Sequence, residues 1–377
     1  MRVLLTGGGT AGHINPALAI AETIKQNAPG AEIAFVGIPN GKETDLVPRA
    51  GYPLYFVHSV GFHRPILSPR NLRAAWYALI SPCEKKTRKI LDDFRPDIVI
   101  GTGGYACWPI MKAAINRGIP TAVHESNAMP GLAVRMLKGR VDRIWVNFER
   151  TAELIELPEK TLRVGNPLRR EFGTMSYEAA RKRLGIAPDQ LLLLSFGGSL
   201  GAQAVNDAAF EVMQEYASQH KEVLHIHVTG KGNFQSEEEK FRAAELDACP
   251  NCVLKDYLYD MPIYMAAADL VIARAGAMTT SELARMGKAA ILIPSTNVVD
   301  NHQFVNAETL AKAGAAYLLE EKDLETAGSA AKAVQELLED SAKRESMQSA
   351  IRKFADRDAN RLIWQEITKL TRYQKTK

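Results

Sequence analysis

Three places in this 377-residue chain set a proton acceptor beside a loop. His13 closes the run Gly7-Gly8-Gly9-Thr10-Ala11-Gly12, His124-Glu125 precedes Ser126-Asn127-Ala128-Met129-Pro130-Gly131, and His302 lies in Asp300-Asn301-His302-Gln303. A base of near-neutral pKa suits removal of a proton from a hydroxyl. His13, squeezed into a glycine loop where bulk is otherwise excluded, is the strongest of the three. A fourth stretch offers positive potential instead: Leu270–Ala273 as a buried strand, the small turn Arg274-Ala275-Gly276-Ala277, then a helix with Thr279, Thr280, Ser281 and Glu282. A helix start presents unpaired N–H groups and a positive dipole end to an anion. Glu282 could accept hydrogen bonds from a ribose, and Gln303 could exchange them with sugar hydroxyls. This is half of a nucleotide-sugar site, although an ordinary βα turn reads the same way on this stretch alone.

The elements that would carry these residues alternate. In the first half strands are expected at Val3–Thr6, Ile33–Val36, Leu54–His58, Ile98–Gly101, Thr121–His124 and Arg143–Val146. The rhythm restarts at Leu191–Phe196, Leu224–Thr229, Val253–Tyr257, Leu270–Ala273, Ala290–Ile293 and Ala315–Leu318. Strand–helix alternation implies parallel sheets with right-handed crossovers, hence two doubly wound domains. Gly8-Gly9-Thr10-Ala11-Gly12-His13 and Gly197-Gly198-Ser199-Leu200-Gly201-Ala202 follow the first strand of each half and share the pattern G-G-hydroxyl-x-G-x. Neither is the full dinucleotide fingerprint. The expected boundaries are 1–163 and 164–344, with a helix at about 345–377 (apolar at Leu362, Ile363, Ile367 and Leu370) packing back on the first domain.

Net charge is +4 with a pI near 8.7, too mild to argue for nucleic acid. The first residues enter a strand with no apolar signal core, and no window reaches the length of a membrane span. Cys249-Pro250-Asn251-Cys252 lacks a second pair or histidines, which argues against zinc or redox chemistry. Metal is not expected: the only D-x-D, Asp356-Arg357-Asp358, lies on a helical tail where such residues diverge. A diphosphate leaving group would then rest on helix starts, hydroxyls and Arg169. The odd segment is 64–89. Arg64, Arg70, Arg73, Lys85, Lys86, Arg88 and Lys89 face one acid, Glu84, interleaved with Ile66, Leu67, Leu72, Trp76, Leu79 and Ile80. Apolar residues inside a basic rim suit anionic lipid headgroups; a crossover helix with solvated charges is the alternative.

With these pieces placed, the chain resembles the bacterial peripheral-membrane N-acetylglucosaminyltransferases that turn lipid I into lipid II in peptidoglycan synthesis. The resemblance runs through GGGTAGHINPALA (7–19), GTGGYACWP (101–109), HESNAMPG (124–131), VGNPLR (164–169), GGSLGA (197–202), RAGAMTTSELARMGKAAILIP (274–294) and DNHQ (300–303). It implies a two-Rossmann GT-B fold and inverting, cofactor-free and metal-free transfer of GlcNAc from UDP-GlcNAc to the MurNAc C4 hydroxyl of undecaprenyl-linked lipid I. By motif position it implies a donor site of Thr10, Ala11, Gly12, Asn127, Arg169, Ser199, Leu258, Gly276, Ala277, Met278, Thr279, Glu282 and Gln303, with Ala277 and Met278 beside the uracil. Gly9, His13, Gly103, Gly104 and Tyr105 would face the acceptor. His13 would be the base, with Glu125 second. The membrane-facing set would be Arg64, Leu67, Arg70, Leu72, Arg73, Trp76, Leu79, Ile80, Lys85 and Lys86, at the cytoplasmic face of the membrane. Other cell-wall and division proteins are the further partners it implies.

Two positions depart from the pattern. Cys107 stands where a serine is frequent, which questions a hydroxyl contact to acceptor, and His302 stands where a glutamine is found in some members. Two rivals share much of this reading: a GT-B enzyme glycosylating diacylglycerol, and a non-catalytic UDP-sugar-binding membrane protein. The loops at 7–13 and 101–109 oppose the first, and the retained His13, Glu125, Glu282 and Gln303 oppose the second. A hydride-transferring Rossmann enzyme fits less well, since neither loop has the full fingerprint.

Overall fold

The computed structural model describes residues 1–9, 11–59, 83–198, 201–298, 301–355 and 357–372. The chain divides into two compact units, Met1–Arg169 with Arg357–Lys377, and Arg170–Asp356.

The first unit holds a parallel sheet of seven strands, β1 (Arg2–Thr6), β2 (Glu32–Gly37), β3 (Leu54–Phe56), β4 (Ile98–Gly101), β5 (Thr121–Glu125), β6 (Arg143–Val146) and β7 (Thr161–Arg163), in the order β3-β2-β1-β4-β5-β6-β7. Its central strands are apolar on both faces. Val3 and Leu5 pack with Ile14, Ile20 and Ile24 of the Ala11–Asn27 helix, whereas Leu4 and Val99 pack with Ile110 and Met111 of the Cys107–Asn116 helix. A strand buried on both faces reads as a continuous apolar run, which is why these were visible in sequence. β7 was not: Thr161-Leu162-Arg163 is short and half-buried, and only pairing with β6 makes it a strand.

The second unit repeats the plan with β8 (Leu191–Phe196), β9 (Val223–Val228), β10 (Cys252–Lys255), β11 (Leu270–Ala273), β12 (Ala290–Leu292) and β13 (Tyr317–Leu318), in the order β10-β9-β8-β11-β12-β13. In each unit the strand order reverses beside the first strand, between β1 and β4 and between β8 and β11. Ligands of open α/β sheets bind at this switch point, off the carboxyl ends of the strands. Both glycine loops therefore emerge at a switch point.

The boundaries differ from those expected. Residues 164–169 stay with the first unit because Val164 is in its core, Asn166 donates to Ser126 O at 3.4 Å, and Leu168 exchanges backbone bonds with the Asn360 amide at 3.2 and 2.9 Å. The return of the tail also starts later than 345. The Ser341–Arg352 helix buries Met347 and Ile351, one turn apart, in the cores of the second unit. The helix that packs on the first unit is Ala359–Thr371, capped by the Asp358 carboxylate accepting from Arg361 N–H at 3.1 Å. Its Ile363 and Ile367 are fully buried against the Ala11–Asn27 helix. Burying each is worth roughly 1.5–3 kcal/mol.

Candidate active site

In the first unit, β1 delivers Gly7-Gly8-Gly9 and β4 delivers Thr102-Gly103-Gly104-Tyr105, side by side at the switch point. Thr102 locks them together: its N–H donates to Thr6 O at 2.8 Å and its hydroxyl to His13 O at 2.6 Å. The imidazole of His13 sets Nδ1 3.1 Å from Thr102 O. A carbonyl only accepts, so this contact assigns the ring proton to Nδ1 and the basic lone pair to Nε2. Gly103 and Gly104 have φ of +97° and +78°. A Cβ at 103 would lie 2.7 Å from His13 Nδ1, and one at 104 would lie 2.2 Å from Gly8 O. These glycines thus form the slot that holds the ring. Tyr105 completes the group, its ring 3.1 Å from where a Cβ on Gly9 would sit. The residue is 38% exposed, and its phenol titrates above the usual range because of partial burial and the nearby Glu43 charge.

Glu43 was missed from sequence. It is buried, with Oε2 accepting from Gly9 N–H at 3.1 Å and Oε1 from Ile38 N–H at 2.9 Å. The only available signal was an acid within reach of two otherwise unexplained glycines, Gly37 and Gly41.

Glu125, expected as the second choice of base, is also buried. Its Oε1 accepts from Asn127 N–H at 3.0 Å and Asn127 Nδ2 at 3.1 Å, and its Oε2 from Gly131 N–H at 2.7 Å. Three donors on about four lone-pair sites make it the clasp of the 126–131 loop, and that geometry favours His13. Asn127 is held in the same clasp, with its carbonyl accepting from Thr151 at 2.7 Å. His124 is fully buried with Nε2 2.9 Å from Gly165 O, and burial lowers its pKa to about 4. It braces the 165 turn. Cys107 is buried in the core of the first unit. Its thiol lies in the sheet core, where a Cβ on Gly101 would meet Sγ at 2.3 Å, and burial pushes its pKa up to about 12. Arg169 is exposed at the end of this unit.

In the second unit β11 leads through Ala275 and Gly276 into the Ala277–Met286 helix, whose start carries no side-chain cap and no acidic residue in its first turn. A helix start of this kind presents a positive dipole end to an anion. The turn is braced from behind, with Asn306 of the His302–Lys312 helix donating to Ala275 O at 3.1 Å. Arg274 is spent on structure, pairing with Glu321 at 2.7 Å and donating to Ile293 O at 3.1 Å. Ala277 and Met278 are buried; Thr279 and Glu282 are half-buried on the same helix. Gln303 stands near the turn, but its Oε1 already accepts from Ser295 N–H at 3.0 Å. That bond fixes the orientation of the amide, with Oε1 turned toward Ser295. Leu258 packs its side chain into the core that contains Ala275, so a donor contact there would come from backbone. Gly12 is exposed near the start of its helix. Thr10, Ser199 and the membrane-facing residues from Arg64 to Ile80 lie outside the described residues, as does the side chain of Ala11.

The Cys83–Phe94 helix is the described remainder of the basic segment. Thr87, Ile90, Leu91 and Phe94 face the core, and Lys85, Lys86, Arg88 and Lys89 are exposed. Among the described residues no helix is long and apolar enough to cross a membrane.

Residues 3–146 match the glycosyltransferase family 28 N-terminal domain, and residues 192–363 match the family 28 C-terminal domain. A UDP-N-acetylglucosamine--N-acetylmuramyl-(pentapeptide) pyrophosphoryl-undecaprenol N-acetylglucosamine transferase from Thermoanaerobacter sp. (strain X514) is 39% identical over 98% of this chain and 100% of its own length. A protein of the same name from Acetivibrio thermocellus is 42% identical over 86% of each chain. The crystal structure of Acinetobacter baumannii MurG superposes with a TM-score of 0.73 at 26% identity, over 98% of this chain and 99% of that one. With both family domains matched in order over two Rossmann-like sheets of the GT-B type, the chain belongs to glycosyltransferase family 28.

Proposed function

We infer that the chain transfers GlcNAc from UDP-GlcNAc to the MurNAc C4 hydroxyl of undecaprenyl-pyrophosphoryl-MurNAc-pentapeptide (lipid I), giving lipid II. The observation that carries this is the near-full-length similarity to transferases named for that reaction. It favours the lipid I acceptor over diacylglycerol and turnover over mere UDP-sugar binding. His13 Nε2 takes the proton of the C4 hydroxyl, and that oxygen attacks the anomeric carbon from the face opposite UDP. The bond to the diphosphate breaks with inversion, and the charge on UDP is met by the N–H groups at the start of the Ala277–Met286 helix rather than by a metal. The tautomer set by Thr102 O and the uncapped helix start support these roles. The enzyme works at the cytoplasmic face of the membrane, a reading supported by the exposed Lys85, Lys86 and Lys89.

The test is transfer from radiolabelled UDP-GlcNAc to a short-chain lipid I analogue in EDTA, with UDP-GalNAc competing. Selective transfer is expected, and His13→Ala lowers kcat by about 10²–10⁴-fold with donor binding retained. Absence of transfer with intact donor binding overturns the acceptor assignment, and unchanged turnover in His13→Ala removes His13 as base.

A further inference from the structure

We propose that Glu43 is a positioning residue for the acceptor half-site: its buried carboxylate holds the Gly9 amide, and with it the glycine loop that leads to His13 and packs against Tyr105. The proposal rests on the acceptor-side reading of that loop.

The carboxylate is 1% exposed, and among the described residues it has no ion pair. A buried charge persists where hydrogen bonds compensate it, and here two N–H groups do so from two segments: Gly9 after β1 and Ile38 after β2. One oxygen serves each, so the group ties two loops together. A carboxamide could accept from only one and would turn an NH₂ against the other.

Three glycines surround it. A Cβ on Gly8 would lie 2.4 Å from Oε1, one on Gly37 2.4 Å from Cγ, and one on Gly41 2.1 Å from Oε2. None of the three has a positive φ, so their backbones would accept a side chain. What a side chain would meet first at each is Glu43. At Gly37 and Gly41 the three nearest atoms all belong to Glu43. Three positions in two segments are thus kept small to seat one carboxylate, more than a surface hairpin needs. Its effect on the site is direct: the Gly9 N–H, a donor that glycine loops commonly offer to phosphate, is already occupied and backed by negative charge.

Glu43→Gln, Gly41→Ala and the double variant test this in the full chain, with His13→Ala as reference. Glu43→Gln is expected to lower kcat/KM for the lipid I analogue at least tenfold while the UDP-GlcNAc Kd stays within twofold. Gly41→Ala, whose added methyl meets Glu43 first, should do the same to a smaller extent, and the double variant should be no worse than Glu43→Gln alone. Amide exchange at Gly9 should be slow in the parent and fast in Glu43→Gln. Equal losses for donor and acceptor, additive effects of the two substitutions, or a fast Gly9 amide in the parent would each overturn the proposal. If His13→Ala is inactive while Glu43→Gln turns over normally, the proposal alone fails. If His13→Ala is fully active, the acceptor reading fails, and Gly9 exchange still reports whether the carboxylate holds the loop.

Discussion

The two glycine loops begin as copies and end as opposites. Gly9 after β1 and Gly198 after β8 share a φ of +88°, each where its sheet reverses strand order. The difference lies behind the turn. Behind the first stands the Glu43 carboxylate, bonded to Gly9 N–H, with the His13 ring slotted alongside. Behind the second, Gly201 presses on Thr229 O and the Asn233 amide, where a Cβ would lie 1.9 and 2.6 Å away. These groups are neutral. A fixed negative charge disfavours a second anion and suits proton removal; a neutral backing leaves the turn open to phosphate. One backbone device thus stands over a buried carboxylate in one unit and over neutral groups in the other.

The comparison breaks most sharply at Gly104. An added methyl there meets Gly8 O, and φ is +78°, so Gly104→Ala should displace both loops and cut turnover by about 100-fold or more, while UDP binding persists. Near-normal turnover would mean that the His13 slot is irrelevant to catalysis.

Acid should separate the two units next. In the second, the Ser195 hydroxyl lies 2.8 Å from both His225 Nε2 and His227 Nδ1, all fully buried. Burial lowers His227 to about 4 and His225 well below its usual value, whereas among the described residues the first unit holds one such ring, His124, at about 4. A histidine depressed in the folded state leaves the unfolded chain binding more protons below pH 6.5, so stability falls as pH drops from there toward 4. For a ring at about 4 the loss is about 2 kcal/mol at pH 5, and the second unit carries two depressed rings. Hydrogen exchange should show β9 losing protection before β5 on acidification. Equal loss would discard this account.

The smallest effect is the most direct comparison. Gly9→Ala and Gly198→Ala incur the same left-handed backbone strain, of about 1 kcal/mol. No described atom lies within 4 Å of a Cβ at 198, whereas at 9 the Tyr105 ring stands 3.1 Å away. Thermal melts should therefore show Gly9→Ala lower by the additional cost of moving that ring. Equal melting temperatures would mean Tyr105 yields freely.

Much of this was legible without coordinates. Strands β1, β4, β8 and β11 announce themselves because burial on both faces demands unbroken apolar runs, such as Val3-Leu4-Leu5 and Leu270-Val271-Ile272. The glycine loops and the 274–282 turn were visible as turns because tight turns restrict residue type locally. The tertiary structure decided the rest, because it depends on partners far apart in sequence. β7 exists only beside β6, and the Ser341–Arg352 helix joins the second unit only through where Met347 and Ile351 fit. Glu125 becomes a clasp and Gln303 Oε1 takes the Ser295 N–H through loop geometry that no local pattern encodes. Glu43 lies 34 residues from the amide it holds, and glutamate is ordinarily a surface residue. Composition and local spacing thus set the strands and turns, while the choice of which buried charge stands behind which turn required the folded chain.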